Sequence, residues 1–281
     1  MSQGGSKLST LERFHVQLVE WSLRNRRADA VLTWLQRKVG ARWIDACTRR
    51  LRHVHGLDRI LPYRERPILL VANHRSFFDM FLINAVLYRE GGFRRRFLFP
   101  VRANFFYDSL PGFFVNGLVS FFSMYPPVFR DRKRAALNHQ SFEALGRALA
   151  QAGRSAGVHP EGRRNTDSNP YTLLPPQSGI GRLVRASGVP VLPVFVNGLL
   201  NDIRRQILGN VRGDGPPIHV VFGAPVELDS LMDGPATSRA HRAVAERIME
   251  AIQSLGEEER QLRAATLGPR PETDPDEARS S

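Results

Sequence analysis

The stretch Ile68–Glu90, ILLVANHRSFFDMFLINAVLYRE, decides how the chain is to be read. An unbroken apolar run of strand length gives way to Asn73, His74, Ser76 and Asp79 within seven residues. Apolar residues then resume with the texture of a buried helix. A strand that ends in polar side chains and feeds a helix is the unit of an α/β sheet, where functional loops gather at strand ends.

The pattern repeats on both sides of this unit. Apolar runs RFLFPV, MYPPVF, SAGVHPEG, VPVLPVFVNG and IHVVFGAPVEL alternate with helical stretches KRAALNHQSFEALGRALAQAG and QSGIGRLVRASG. This order predicts a mixed, largely parallel β-sheet flanked by helices on both faces. A closing amphipathic helix is expected over Arg239–Leu255, with Val244, Ile248, Ile252 and Leu255 on one side. Three segments follow: residues 1–60 as an N-terminal helical pair, 61–256 as the main domain, and 257–281 as a polar tail too poor in apolar surface to fold alone.

Ser9 or Thr10 caps the first predicted helix, which carries Leu11, Phe14, Leu18 and Trp21 at helical spacing. Val31, Leu35, Val39, Trp43 and Cys47 do the same on the second. Up to Arg66 there are 14 Lys/Arg against 6 Asp/Glu. Such a pair either packs on the core with a solvated basic side, or lies on a membrane surface with Trp and Leu in lipid and Arg on phosphate. Helix-turn-helix binding of DNA is the weaker third reading, because no recognition helix stands out.

The 281 residues carry 40 Lys/Arg and 27 Asp/Glu, a formal +13, which points to an anionic partner. The single Cys47 excludes an internal disulfide and a cysteine-built metal site. The opening MSQGGSKLSTLERF lacks the apolar core of a secretion signal. Ser109–Phe129, SLPGFFVNGLVSFFSMYPPVF, approaches the length of a membrane span. Its three prolines and Asn116 read instead as broken, partly buried structure or a membrane-dipping surface.

Two loops carry chemistry. His74 and Asp79 are five residues apart, about 140° out of phase on a helix, so they meet only if His74 lies in the loop before it. Ser76-x-x-Asp79 is also a capping-box pattern, in which both side chains merely satisfy backbone N–H groups. The second loop, GVHPEGRRN (Gly157–Asn165), sets Glu161 and Gly162 beside Arg163 and Arg164, whose forked donors suit a phosphate. An ordinary charged turn is the bland alternative. His159 has no second ligand at regular spacing, and no metal is expected.

Taken together, NHRSFFD, PVFRDRKR, HPEGRRN and VPVLPV resemble, in order, the four blocks of the glycerolipid acyltransferases of the 1-acylglycerol-3-phosphate acyltransferase type, over roughly residues 65–230. Asn73, His74, Ser76 and Asp79 match the first block, Asn-His-x-Ser-x-x-Asp, completely. Pro160, Glu161, Gly162 and Arg164 match the third, Phe-Pro-Glu-Gly-Thr-Arg-Ser, where His159, Arg163 and Asn165 replace Phe, Thr and Ser. Pro190 and Pro193 fit the fourth.

The resemblance implies a catalytic pair, His74 as general base and Asp79 as its support. It places Asn73, Ser76, Glu161, Gly162, Arg163 and Arg164 on the substrate side, with Arg130 of the second block binding the acceptor and Arg102 standing where the family often has a Lys. The implied reaction moves a fatty acyl group from acyl-CoA or acyl-carrier protein, as co-substrate and without a cofactor, to a lysophospholipid such as 1-acylglycerol-3-phosphate. Other acceptors remain open: a different lysophospholipid, glycerol-3-phosphate or a non-glycerol lipid. The expected partners are the thioester, the lysolipid and a membrane surface, met from its cytoplasmic side in a peripheral or monotopic way, with no nucleic acid. A non-catalytic basic protein that binds membrane or nucleic acid is the alternative from another class. A serine hydrolase is disfavoured by the lack of a Gly-x-Ser-x-Gly elbow.

Overall fold

The computed structural model describes residues 8–107, 109–129, 135–150 and 154–267. Seven strands form one sheet: β1 (Arg52–His55), β2 (Leu69–Ala72), β3 (Phe97–Arg102), β4 (Met124–Val128), β5 (Ser155–Val158), β6 (Val191–Asn197) and β7 (Ile218–Phe222). Their order is β1-β7-β6-β2-β5-β3-β4. Only β6 and β7 pair antiparallel, so β1 and β7 run against the other five.

The central strand β2 is buried at all four residues, which is why it reads as a continuous apolar run rather than an alternation. Its side chains still alternate between faces. Leu70 and Ala72 pack with Ile44, Leu82 and Val86 on one side, and Leu69 and Val71 with Leu145, Leu183 and Ile248 on the other. The first layer holds α3 (Ala41–Thr48) and α4 (Asp79–Arg89). The second holds α7 (Ala135–Ala150), α8 (Gly179–Ser187) and α11 (Ser238–Leu267). Gly157 on β5 permits close docking of α4, since a Cβ there would meet Met80 Sδ at 2.5 Å.

At the N-terminus α1 (Thr10–Arg24) and α2 (Arg26–Leu35) precede a π-helical turn at Gln36–Gly40 that leads into α3. Ser9 caps α1 and pairs reciprocally with Glu12. The helix packs Val19 into the core yet turns part of its apolar stripe outward. Its apolar Phe14 and Trp21 are each 55% exposed, while Glu12, His15 and Ser22 are buried. Beside Val19 it buries a polar network: Asn116 meets His15 at 3.0 Å, and the buried Arg96 reaches Ser22 and, at 3.0 Å, Asp29 of α2. Asp29 also receives Arg154.

Several expectations are corrected. β1 joins the sheet beside β7, so the segment before residue 60 is not a purely helical appendage. The 109–129 stretch is broken, as its prolines and Asn116 predict: it divides into α6 (Leu110–Phe114), a π-helical turn at Val115–Val119 and β4, after the short α5 (Ala103–Phe106). No helix among the described residues is long and apolar enough to cross a membrane. Two helices lie where none was expected, α9 (Ile203–Arg212) after β6 and the short α10 (Asp229–Met232) after β7. Finally, α11 does not stop near Leu255 but continues to Leu267. Its polar extension is held because the buried Glu259 accepts hydrogen bonds from Tyr171 Oη at 2.8 Å and Arg263 Nε at 2.7 Å. Of the tail, residues 268–281 lie outside the described residues.

Candidate active site

Because β2 and β5 are neighbouring parallel strands, their C-terminal ends deliver the two chemical loops to the same edge of the sheet. His74 lies one residue beyond Asn73 after β2, in a loop that turns at Phe77 and Phe78 before α4 begins at Asp79. The turn brings His74 Nδ1 within 3.2 Å of Asp79 Oδ2. Asp79 is 1% exposed, and the backbone N–H groups of Arg75 and Ser76 both donate to its Oδ2 at 2.8 Å. The two readings left open by the sequence therefore coexist. One carboxylate satisfies loop N–H groups and, through the same oxygen, faces the imidazole.

Ser76 is not the helix cap by which the spacing was rationalised. Its Oγ accepts from the Phe78 N–H at 3.2 Å, a local turn contact, and donates to the Leu200 carbonyl at 3.4 Å. Asn73 is fully buried and consumed by β6, with Nδ2 donating to the Val196 carbonyl at 2.9 Å and Oδ1 accepting from the Val196 N–H at 2.8 Å. Both brace the loop that carries His74.

The second loop grips His74 by its backbone. Glu161 Oε1 accepts the His74 N–H at 2.7 Å, and the Asn165 N–H donates to the His74 carbonyl at 2.8 Å. Glu161 Oε2 takes the Leu174 N–H at 2.9 Å. The carboxylate is 2% exposed and ties the two loops together. Gly162 adopts φ +68°, where an L side chain is strained, and makes the turn that releases Arg163 to solvent. Arg164 lies with its guanidinium 4.3 Å above the Phe77 ring, and its Nη1 donates to Asn201 Oδ1 at 2.9 Å. Asn201 also accepts from the Phe77 N–H and donates to the Arg75 carbonyl, so the loop after β6 closes a third side. Arg102 is exposed at the end of β3, two strands from β2. Arg130 lies outside the described residues.

Two groups were missed. His159 stacks face to face on His74, ring centroids 3.9 Å apart and 7° from parallel, with Nδ1 3.0 Å from the Ala72 carbonyl oxygen. Arg75 bonds the Asp167 carbonyl through Nη2, while its Nη1 is buried with no hydrogen-bond partner among the described residues. Arg75 occupies the variable position of the Asn-His-x-Ser pattern, so nothing in the sequence singled it out. For His159 the signal was its departure from the family's Phe.

Electrostatics separates the members. Burial pushes the Asp79 carboxyl up to about 6, against the pull of His159 and of the Ser76 and Arg75 N–H groups. Burial also raises Glu161, opposed by the N–H groups of Leu174 and His74. His159 is lowered to about 3, first by burial and then by His74. It is neutral near pH 7, and its Nδ1–H can donate to Ala72. Ligand atoms of His74, Asp79 and His159 lie within 4.8 Å of one another, a grouping that regular sequence spacing could not reveal.

Residues 51–197 match the family model described as Acyltransferase, a span that covers both loops and the strands beneath them. The chain belongs to the acyltransferase family. It is an enzyme of acyl transfer, with an acyl donor and a lipid acceptor as the substrate classes the family implies. Among solved structures it is similar to the crystal structure of the 1-acyl-sn-glycerophosphate (LPA) acyltransferase PlsC from Thermotoga maritima. That likeness has a TM-score of 0.54 at 22% identity and covers 88% of this chain and 89% of the other, and it bears out the α/β fold. No curated protein matches the chain.

Proposed function

We propose that this acyltransferase moves a fatty acyl group from acyl-CoA or acyl-carrier protein to the free hydroxyl of a lysophospholipid, 1-acylglycerol-3-phosphate foremost, with His74 as general base. The observation that carries the proposal is the His74–Asp79 pair at the mouth of two parallel strands. An Nδ1–H donating to Asp79 Oδ2 leaves Nε2 as the basic atom. Nε2 takes the proton of the acceptor hydroxyl as its oxygen attacks the thioester carbonyl. The tetrahedral intermediate then expels the thiolate, which recovers that proton. Asp79 fixes the tautomer and stabilises the imidazolium, as a carboxylate does in a catalytic triad. Two backbone N–H groups and full burial keep it from turning away. No cofactor enters this scheme.

Arg164, laid on Phe77 and held by Asn201, is the cation we assign to the acceptor phosphate, with Arg130 and the exposed Arg163 as further donors.

The enzyme would work at a membrane surface, from the cytoplasmic side. Phe14, Trp21, Val31 and Trp34 are exposed on α1 and α2, and Leu110, Phe114 and Leu118 on the adjoining α6 region. Phe14 and Phe113, 6.3 Å apart, join the two groups. Exposed aromatics over a chain of net charge +13 suit the interface of an anionic bilayer. The test is an acyl-transfer assay with both donor types and a panel of lysolipids, glycerol-3-phosphate and non-glycerol acceptors. The highest kcat/KM is expected with 1-acylglycerol-3-phosphate. A preference for an acceptor without phosphate would overturn the assignment of Arg164.

A further inference from the structure

We propose that His159, His74 and Asp79 form a binding site for a divalent transition metal of the class that favours mixed nitrogen and oxygen donors, Zn2+ foremost, and that occupancy reversibly blocks the site. The blocking rests on the function proposed for His74, whereas the binding does not.

Three observations carry it. First, the three side chains, brought together from two loops, place ligand atoms within 4.8 Å of one another. His74 Nδ1 and Asp79 Oδ2 are 3.2 Å apart, close to the edge of a tetrahedron around a metal bound at about 2.0–2.1 Å. Second, an His159 Nδ1–H donating to the Ala72 carbonyl leaves Nε2 with its lone pair, the outer contact that typically fixes a metal-binding imidazole. Third, while Asp79 Oδ2 faces His74 and carries the two loop N–H groups, the other carboxylate oxygen, Oδ1, is buried and has no hydrogen-bond partner among the described residues, so it is the oxygen with capacity left for a cation. Buried carboxylate oxygens are ordinarily hydrogen-bonded, paired with a charge or coordinated to a metal.

The stack sets the strength. Rings 7° from parallel point their lone pairs along parallel planes, so one ring must tilt before both ligate a single ion. Binding is therefore expected in the micromolar range rather than at the affinity of a preformed structural zinc site. The family's Phe at position 159 indicates the variant: it keeps a flat ring on His74 and removes the ligand.

The full-length protein, stripped with EDTA and desalted, is titrated with ZnCl2 by calorimetry and with CoCl2 by visible absorption, both without substrate. The wild type should take up one equivalent, and His159→Phe and His74→Ala should each weaken it by at least about 10-fold. His159→Leu replaces either variant if circular dichroism shows that it does not fold. In the acyl-transfer assay Zn2+ should inhibit the wild type, EDTA should restore it, and His159→Phe should need at least about 10-fold more Zn2+. Equal affinity in all three proteins, or no uptake by the wild type at millimolar Zn2+, would overturn the site. Metal uptake lost in the variants, in a protein that transfers no acyl group, would sustain the site and sink the function instead.

Discussion

Replacing Asp79 by Asn separates what the carboxylate does for the reaction from what it costs the fold. Burial holds this carboxyl at about 6 instead of its ordinary 3.8. Between those values the folded protein keeps a proton that the unfolded chain has released. Stability therefore falls as pH rises from about 4 to about 6 and stays at the lower level above that. At about 1.4 kcal/mol per pKa unit the loss comes to about 3 kcal/mol. Asn has the same shape, accepts the Arg75 and Ser76 N–H groups through its oxygen, and cannot ionise. Its amide nitrogen takes the position of the unpartnered Oδ1, at a cost of about 1–3 kcal/mol that does not vary with pH. The informative quantity is thus the change with pH of the stability difference between the two proteins, read from denaturant unfolding at a series of pH values. Asp79→Asn should gain about 2–3 kcal/mol on the wild type between about pH 4 and about pH 8. Its acyl transfer should drop by about 10²- to 10⁴-fold, because the carboxylate no longer supports the imidazolium. A stability difference that stays flat, or moves the other way, would refute the claim that this charge is held against the preference of the fold.

Other perturbations test the bracing of the loop, the phosphate contact and the surface. Asn73→Ala strips partners from the Val196 N–H and carbonyl in a fully buried position, and should cost about 2–4 kcal/mol in thermal or denaturant unfolding. A cost within experimental error would return Asn73 to the substrate side. Arg164→Ala should raise KM for a phosphate-bearing acceptor by about 10- to 100-fold and leave KM for the thioester nearly unchanged. Equal effects on both substrates would contradict that division. Trp21→Glu with Trp34→Glu should sharply lower co-sedimentation with anionic vesicles and leave unfolding unaltered, since both rings are more than half exposed. Undiminished binding would place the membrane contact elsewhere.

The sheet was legible because its central strands are buried on both faces, and short uninterrupted apolar runs spaced by helical stretches are what such strands require. The site was legible only in part. The resemblance to the Asn-His-x-Ser-x-x-Asp block implied that His74 and Asp79 belong together, yet it also placed Asn73 and Ser76 on the substrate side, and only the placement of Val196 on β6 and Leu200 just after it shows what they bond. Glu161 is a similar case, since a glutamate that bonds the backbone of His74 across 87 residues leaves no local trace. The first helix misled for a different reason. Periodicity found the apolar stripe through Phe14 and Trp21, but a stripe on a helix does not say whether it faces the core or the solvent, and Arg96 and Asn116 supply the polar partners that turn it outward. The extension of the last helix past Leu255 was hidden because Glu259 looks like a solvated charge until Tyr171 and Arg263 are placed beside it.

The central claim is that the His74 imidazole removes the proton from the acceptor. It is tested most directly by the rate of product formation from a radiolabelled acyl thioester and 1-acylglycerol-3-phosphate, compared between the wild type and His74→Ala, with lysolipid binding measured in parallel. Catalysis by this base predicts a loss of about 10²- to 10⁴-fold in kcat with acceptor binding and fold retained. A folded His74→Ala protein that transfers acyl groups within a few-fold of the wild-type rate would contradict it.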